Sequence, residues 1–165
     1  MRQTIIGVMG GTSASPETEA HAHAIGRLIA ENGWLLLNGG RPTGVMGASA
    51  KGCREAGGTS IGILFDGERE AACEHLDIVI PTGMGAARNV ANILASDVVV
   101  ACQGQGGTLS EIALALRFNR PCVLLDFDPG AAFLDACGQG RWFLAKTPEE
   151  AADLVRQQLE EMGRA

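Results

Sequence analysis

Aromatic residues are scarce in this chain: there is no tyrosine, and the five phenylalanines and two tryptophans amount to 4% of its 165 residues. Long apolar runs are also missing, and none reaches the roughly 18 residues that a membrane-spanning helix needs. The start of the chain, MRQTIIGVMGG, lacks the apolar segment and small-residue cleavage site of a signal peptide. We therefore expect a water-soluble protein with no membrane partner.

The sequence also lacks paired cysteines and an excess of positive charge. The five cysteines are an odd number and include no Cys-x-x-Cys pair, which argues against a disulfide framework and against a zinc site. We expect reduced thiols, a cytoplasmic location and no bound metal. Thirteen basic residues against 19 acidic ones leave a net charge of −6, which suits phosphate-rich nucleic acids poorly. Nucleic acid is therefore not an expected partner.

Glycine, by contrast, is abundant, with 23 residues, and apolar residues make up 46% of the chain. Short apolar runs alternate with segments of helical periodicity, which predicts an α/β fold: a single Rossmann-like domain over residues 1–165, with a mostly parallel sheet and helices on both faces. Ser15-Pro16 and Thr147-Pro148 each place a capping hydroxyl before a proline, so two helices are expected to begin there. Segment 128–140 is expected to be a loop, whose shape the sequence leaves open. The predicted strands are 4–9, 34–38, 59–65, 78–81, 97–102, 121–127 and 141–145.

Three glycine clusters follow predicted strands: Gly10-Gly11, Gly39-Gly40 and Gly104 to Gly107. In a parallel sheet, ligands bind beyond the carboxyl ends of the strands, where such turns lead into helix N-termini. The glycines could simply allow tight turns and close helix–sheet contacts. Because three clusters should converge at one edge of the sheet, we expect them instead to hold a phosphate-bearing ligand. Neither the usual dinucleotide spacing nor the Lys-Ser/Thr pair of a P-loop is present.

Charged residues beside these turns are candidates for ligand contacts. Arg88 and Arg41 could bind phosphate or carboxylate, although either could be an ordinary surface arginine. Glu111 lies one turn into a predicted helix, where it could interact with the helix dipole, bind a polar group or act as a general acid or base. Asp126 and Asp128 follow a predicted strand and could cap a turn or face the ligand.

The segments NGGRPTGVMG, TGMGAARN and GQGGTLSE resemble motifs of the lysine decarboxylase-like, or Lonely Guy, superfamily, and the similarity extends from about Thr4 to Phe127. This Rossmann-like superfamily includes cytokinin-activating phosphoribohydrolases and molybdenum cofactor carrier proteins. The glycine turns and this resemblance together give a candidate ligand-binding set. Its members are Gly10, Gly11, Thr12, Gly39, Gly40, Arg41, Thr43, Gly44, Met84, Gly85, Arg88, Asn89, Gly104, Gly106, Gly107, Thr108 and Glu111.

The carrier branch resembles this sequence more closely than the hydrolase branch does. That resemblance implies storage of the molybdenum cofactor (molybdopterin), a homo-oligomer (dimer or tetramer), and contact with molybdoenzymes or cofactor-biosynthesis proteins. The hydrolase branch would instead make Arg88 and Glu111 a catalytic pair acting on a nucleoside 5′-monophosphate. Several residues depart from the hydrolase pattern around this pair, namely Ala86, Ala87, Asn89, Gln103 and Gln105. A regulatory subunit that senses a nucleotide is a third interpretation.

Overall fold

Seven strands and six α-helices alternate along the chain in the computed structural model, which describes residues 2–164. The strands are β1 (Ile5–Met9), β2 (Leu35–Asn38), β3 (Ser60–Leu64), β4 (Ile78–Pro81), β5 (Val98–Ala101), β6 (Cys122–Leu125) and β7 (Trp142–Ala145). The α-helices are α1 (Pro16–Glu31), α2 (Gly44–Glu55), α3 (Arg88–Ala95), α4 (Gly106–Arg117), α5 (Ala131–Cys137) and α6 (Pro148–Glu161). A 3-10 turn, Gly85–Ala87, leads into α3.

The strands form one sheet in the order β4-β3-β2-β1-β5-β6-β7, and each neighbouring pair is parallel. One face of the sheet packs against α1, α2 and α6, and the other packs against α3, α4 and α5. The predicted Rossmann-like α/β class is therefore confirmed, with parallel pairing throughout the described sheet. The chain moves outward from β1 to β4 and then returns to place β5 on the other side of β1. Such a reversal leaves a crevice between β1 and β5, where ligands bind in this class of fold.

Hydroxyl caps explain why two of the helices begin where they do. The Ser15 hydroxyl accepts a hydrogen bond from the Thr18 amide at 3.1 Å, and the Thr147 hydroxyl accepts one from the Glu150 amide at 3.2 Å. The Glu150 carboxylate accepts in turn from the Lys146 amide at 2.8 Å, beside the cap. Both predicted helix starts are confirmed, because each cap provides an acceptor for an amide that the helix itself leaves unpaired.

Small residues let α1 and α2 approach each other closely. A Cβ atom on Gly26 would lie 2.9 Å from the Ser49 carbonyl carbon, and one on Gly52 would lie 2.9 Å from the His23 carbonyl carbon. Two helices can come this close only where neither carries a side chain at the crossing. The small-residue character of α2 is thus explained by packing within the chain.

Segment 128–140 contains a helix, α5, where the sequence indicated only a loop. The Asp128 carboxylate accepts a hydrogen bond from the Gly130 amide at 2.8 Å, so it caps the turn that leads into α5. Leu134 is fully buried against α4 and anchors this short helix. None of the helices between residues 2 and 164 is both long and apolar enough to cross a membrane.

Candidate functional site

The turns after β1, β2 and β5 meet at the carboxyl edge of the sheet because these three strands are neighbours. The Gly11 amide donates to the Gln103 carbonyl at 3.1 Å, which joins the first turn to the last. The Val45 amide donates to the Gly11 carbonyl at 3.0 Å, which joins the first turn to the start of α2. The glycine turns thus form one continuous backbone surface.

A cleft of about 230 Å³ lies on this surface. Its lining residues are Val8, Met9, Gly10, Gly11, Thr12, Ser13, Gly39, Met46, Arg88, Asn89, Gln105, Gly107, Thr108 and Glu111. A second cavity, of about 640 Å³, lies between the N-terminal parts of α1 and α2 and shares Thr12 and Ser13 with the cleft. Lys51, His23 and His75 contribute basic side chains to this second cavity.

The structure places nine of the predicted ligand-binding residues on the wall of the cleft: Gly10, Gly11, Thr12, Gly39, Arg88, Asn89, Gly107, Thr108 and Glu111. Thr43 and Gly44 line the second cavity. Gly40, Arg41, Met84, Gly85, Gly104 and Gly106 line neither. Arg41 pairs with the Asp66 carboxylate at 3.0 Å and lies 4.3 Å above the Phe65 ring, so its charge is engaged away from the cleft.

The glycines of the last turn differ in what the fold requires of them. A Cβ atom on Gly104 would lie 2.8 Å from the Gly11 amide nitrogen and would overlap the Thr108 hydroxyl. Gly104 is therefore explained by packing between two turns. Apart from their chain neighbours and the backbone of α4 itself, Gly106 and Gly107 have no atom within 4 Å of the position where a Cβ would lie, and neither has a left-handed φ. Nothing in the packing of the described chain accounts for these two glycines.

The backbone amides in the first turn of α4 are not capped by a side chain of the described residues and can donate to an acceptor. Gln105 occupies the capping position and makes no side-chain hydrogen bond to the amides of the first turn. Amides at a helix start carry partial positive charge and attract anions. Thr108, which is buried, adds a hydroxyl to the lining of the cleft.

Arg88 is the cation of the cleft, and it is only 9% exposed. Its Nη1 donates to the Gly39 carbonyl at 2.7 Å and also to the Ile63 carbonyl. Its Nε is buried without a hydrogen-bond partner among residues 2–164. Burial lowers the pKa of the guanidinium, while the nearby Glu111 raises it. Backbone carbonyls thus fix the Arg88 side chain at the N-terminus of α3, and its Nε–H has no acceptor within the described part of the chain.

Glu111 is the acid of the cleft, and it is 7% exposed. Its Oε1 accepts a hydrogen bond from the Asn92 side-chain amide at 3.2 Å. Burial raises the pKa of this carboxyl to about 7, and the Asn92 hydrogen bond and the charge of Arg88 oppose that rise. Near neutral pH, Glu111 can therefore either donate or accept a hydrogen bond.

Sequence reasoning missed Ser13, Met46, Gln105, Val8 and Met9 as lining residues, and it missed Asn92 as the partner of Glu111. Asn92 could have been found from its position four residues after Arg88, because this spacing places both side chains on one face of α3. The positions of Val8, Met9 and Met46 on the cleft could not be predicted from the sequence, because apolar residues in these segments are equally typical of the hydrophobic core.

The parallel sheet, its reversal between β1 and β5, and the glycine turns at that point define a Rossmann-like ligand-binding protein. The sequence profile of the SLOG cluster4 family matches residues 3–152, so the chain belongs to this family. The superfamily resemblance that its motifs indicate is confirmed.

Two solved structures resemble this chain over almost its whole length. The molybdenum cofactor binding protein from Rippkaea orientalis is 43% identical, with a TM-score of 0.90, and the match covers 95% of this chain and 98% of that chain. The molybdenum cofactor carrier protein from Chlamydomonas reinhardtii is 41% identical, with a TM-score of 0.89, and the match covers 96% and 99% of the two chains. An uncharacterized protein from Archaeoglobus fulgidus is 44% identical over 117 residues, which are 71% of this chain and 76% of the relative. The resemblance to the molybdenum cofactor carrier branch is confirmed.

Proposed function

We propose that this protein binds the molybdenum cofactor, molybdopterin, in the cleft between β1 and β5 and carries it without transforming it. Two relatives named for binding or carrying this cofactor are 41% and 43% identical to the chain and share its fold over nearly its full length. This similarity over nearly the full length supports binding of the same cofactor by this chain.

The observation that carries the proposal is Gly107, which lines the cleft and follows Gly106 at the start of α4. The packing of the chain leaves the space beside Gly106 and Gly107 open, although glycine at these positions weakens the helix. A ligand that approaches the backbone closely is a physical reason for keeping side chains out of this space. The amides of this turn would then hold the phosphate of the pterin, with the Thr108 hydroxyl beside them.

The remaining contacts follow from the shape and charge of the cleft. Arg88, which lines the same cleft, would balance the negative charge of the phosphate. A volume of about 230 Å³ suits only part of a cofactor of this size. The rest would extend past Thr12 and Ser13 into the second cavity, where Lys51 and the histidines offer further donors.

Anaerobic binding of purified molybdopterin tests this function directly. We expect the wild-type protein to bind the cofactor and to slow its oxidation. Gly107→Ala should weaken binding without unfolding the protein, because the added methyl group points into open space. Gly67→Ala is the matched control, since Gly67 is exposed and a Cβ there would also meet only an ordinary contact, at 3.9 Å. If Gly107→Ala binds the cofactor as tightly as Gly67→Ala does, the phosphate seat is misplaced.

A second candidate function is hydrolysis of the N-glycosidic bond of a nucleoside 5′-monophosphate. The specific observation in its favour is the pKa of about 7 for Glu111 next to a buried arginine, which suits a general acid or base at neutral pH. The test is incubation with AMP or CMP and chromatographic detection of free base. Base release that disappears in Glu111→Ala would establish hydrolysis and would overturn the pure carrier function.

We further propose that the protein is a cytoplasmic homo-oligomer, a dimer or tetramer, that exchanges its ligand with a molybdoenzyme or a cofactor-biosynthesis protein. Ile78 and Ile80 support the oligomer, because both are more than 40% exposed on the same face of the edge strand β4. The thiols of Cys53, Cys73, Cys102 and Cys122 are free and buried, which fits a reducing compartment. Light scattering of the wild type and of Ile80→Lys tests the assembly.

A further inference from the structure

Outside the cleft, three side chains with metal-binding groups lie together at the carboxyl edge of the sheet. Glu17 and His21 are four residues apart on α1, so they share one face of that helix. Asp126 follows β6 immediately. One ligand atom from each residue lies within 4.8 Å of the others. None of the three residues lines the cleft or the second cavity.

The imidazole of His21 has an unsatisfied atom in this cluster. Its Nδ1 is buried and has no hydrogen-bond partner among residues 2–164. The nearest carboxylate oxygen, Oδ2 of Asp126, lies 3.7 Å away, which is too long for a hydrogen bond. Buried polar atoms without a partner are rare because they lose their contact with water and gain nothing in return. A group that binds nitrogen and the two carboxylates together would explain this arrangement.

We propose that Glu17, His21 and Asp126 form a binding site for a divalent transition-metal ion, with zinc as the best-suited member of the class. Zinc binds imidazole nitrogen and carboxylate oxygen at about 2.0–2.2 Å, usually with four ligands in a tetrahedron. Magnesium and calcium select oxygen ligands only, so the imidazole argues against them. Three protein ligands leave one position for water.

The three ligand atoms must move slightly closer together to form a tetrahedral zinc site, and the exposed carboxylates can make this movement. In a tetrahedral zinc site the ligand atoms are roughly 3.3 Å apart. The ligand atoms of the cluster lie within 4.8 Å of one another, so no pair has to close by more than about 1.5 Å. Glu17 is exposed, and the side chain of Asp126 is 52% exposed, so both carboxylates can change rotamer without disturbing the core. The Asp126 amide donates to the Ala145 carbonyl at 2.8 Å, which keeps the backbone of this ligand in place.

The site would tie two separate parts of the carboxyl edge together. Glu17 and His21 lie on the first two turns of α1, which follows the glycine turn after β1. Asp126 begins the segment that leads to α5. Cys102 is the other metal-binding side chain close to this part of the edge, and it is fully buried in the core. Its thiol is therefore enclosed in the core, which leaves Glu17, His21 and Asp126 as the ligands.

Titration of the untagged protein with zinc chloride, followed by calorimetry, tests the site. We expect one zinc ion per chain in the wild type and binding at least about tenfold weaker in His21→Gln, because one of three protein ligands is lost. His23→Gln is the matched control: it lies two residues away on α1, and its ring contacts Glu55 at 2.7 Å instead of the cluster. Unchanged zinc affinity in His21→Gln, or an equal loss in His23→Gln, would overturn the proposal.

Two further variants keep the test independent of the stability of His21→Gln. Asp126 has a left-handed backbone, with φ of 47°, and asparagine tolerates this conformation well. Asp126→Asn should therefore fold like the wild type and lose zinc affinity, and Glu17→Gln should do the same. The visible absorption of bound Co²⁺ provides a second measurement of a site with nitrogen and oxygen ligands. Wild-type protein that binds neither zinc nor cobalt stoichiometrically would refute the site, whatever its affinity for molybdopterin.

Discussion

Replacing Glu111 by glutamine should stabilise the protein, and the gain should grow with pH. The carboxyl has an ordinary pKa of 4.5 and a pKa of about 7 in the folded protein, because burial penalises its charge. As the pH rises above 4.5, the unfolded chain gives up this proton before the folded protein does. Ionisation therefore favours unfolding, and stability falls through the window from pH 4.5 to about 7.

The magnitude follows from the difference between the two pKa values. Each unit of difference between the two pKa values corresponds to about 1.4 kcal/mol. The raised pKa of Glu111 therefore lowers the free energy of unfolding by roughly 3 kcal/mol at pH 8. Glutamine has nearly the same shape and no charge, and its carbonyl can still accept from Asn92. For a chain of this length, 3 kcal/mol corresponds to a rise of roughly 6–12 °C in the midpoint of thermal unfolding.

Urea unfolding of the wild type and of Glu111→Gln at several values between pH 4.5 and 8 measures this effect. The difference in the free energy of unfolding should be small at the acid end and should approach its full size by pH 8. Glu160→Gln, on the exposed side of α6, makes the same chemical change without burial and should show no such trend. A difference between wild type and Glu111→Gln that is the same at every pH would refute the reasoning. A destabilised Glu111→Gln at pH 8 would refute it as well.

The other predictions concern the turns, the caps and the cation of the cleft. Gly104→Ala should lower the free energy of unfolding by about 1–3 kcal/mol, since the methyl group would meet the Gly11 amide; Gly106→Ala, measured alongside by urea unfolding, should not destabilise. Thr147→Ala should cost about 1 kcal/mol through loss of the cap to the Glu150 amide, and a cost below the error of thermal unfolding would show that the cap is dispensable. Arg88→Ala should weaken binding of inorganic phosphate in calorimetry, and unchanged affinity would mean that the anion lies elsewhere.

Glu111 illustrates a pattern that is common at binding sites. A buried acid with a raised pKa lowers stability at neutral pH, and such groups persist where they serve a ligand. Arg88 is placed in the same way, because its guanidinium is desolvated and is fixed by the carbonyls of Gly39, after β2, and of Ile63, in β3. Both residues could be selected from the sequence as candidates. Their burial and their mutual influence depend on helices α3 and α4 packing side by side.

The candidate cleft was only partly accessible to sequence reasoning. The turns after β1, β2 and β5 could be expected to converge, because the alternation of strands and helices indicates a parallel sheet. Arg41 shows where that reasoning ends, since its neighbour in the motif, Gly39, lines the cleft while Arg41 pairs with Asp66. Asp66 is 25 residues away from Arg41 along the chain, and no local sequence pattern predicts that ion pair. The helix α5 was missed for a similar reason: it is short, and a single buried leucine in contact with α4 holds it.

By itself, the sequence determined the class of fold, the helix starts at Ser15 and Thr147, and the three glycine turns, because periodicity, caps and turn chemistry act between residues a few positions apart. Only the tertiary structure decided which glycines serve packing and which leave room for a ligand. It also decided that Glu111 is buried beside Asn92 and Arg88, and that His21 meets Glu17 and Asp126. These properties depend on the distance between segments that are remote along the chain, and that distance is set by the order of strands in the sheet.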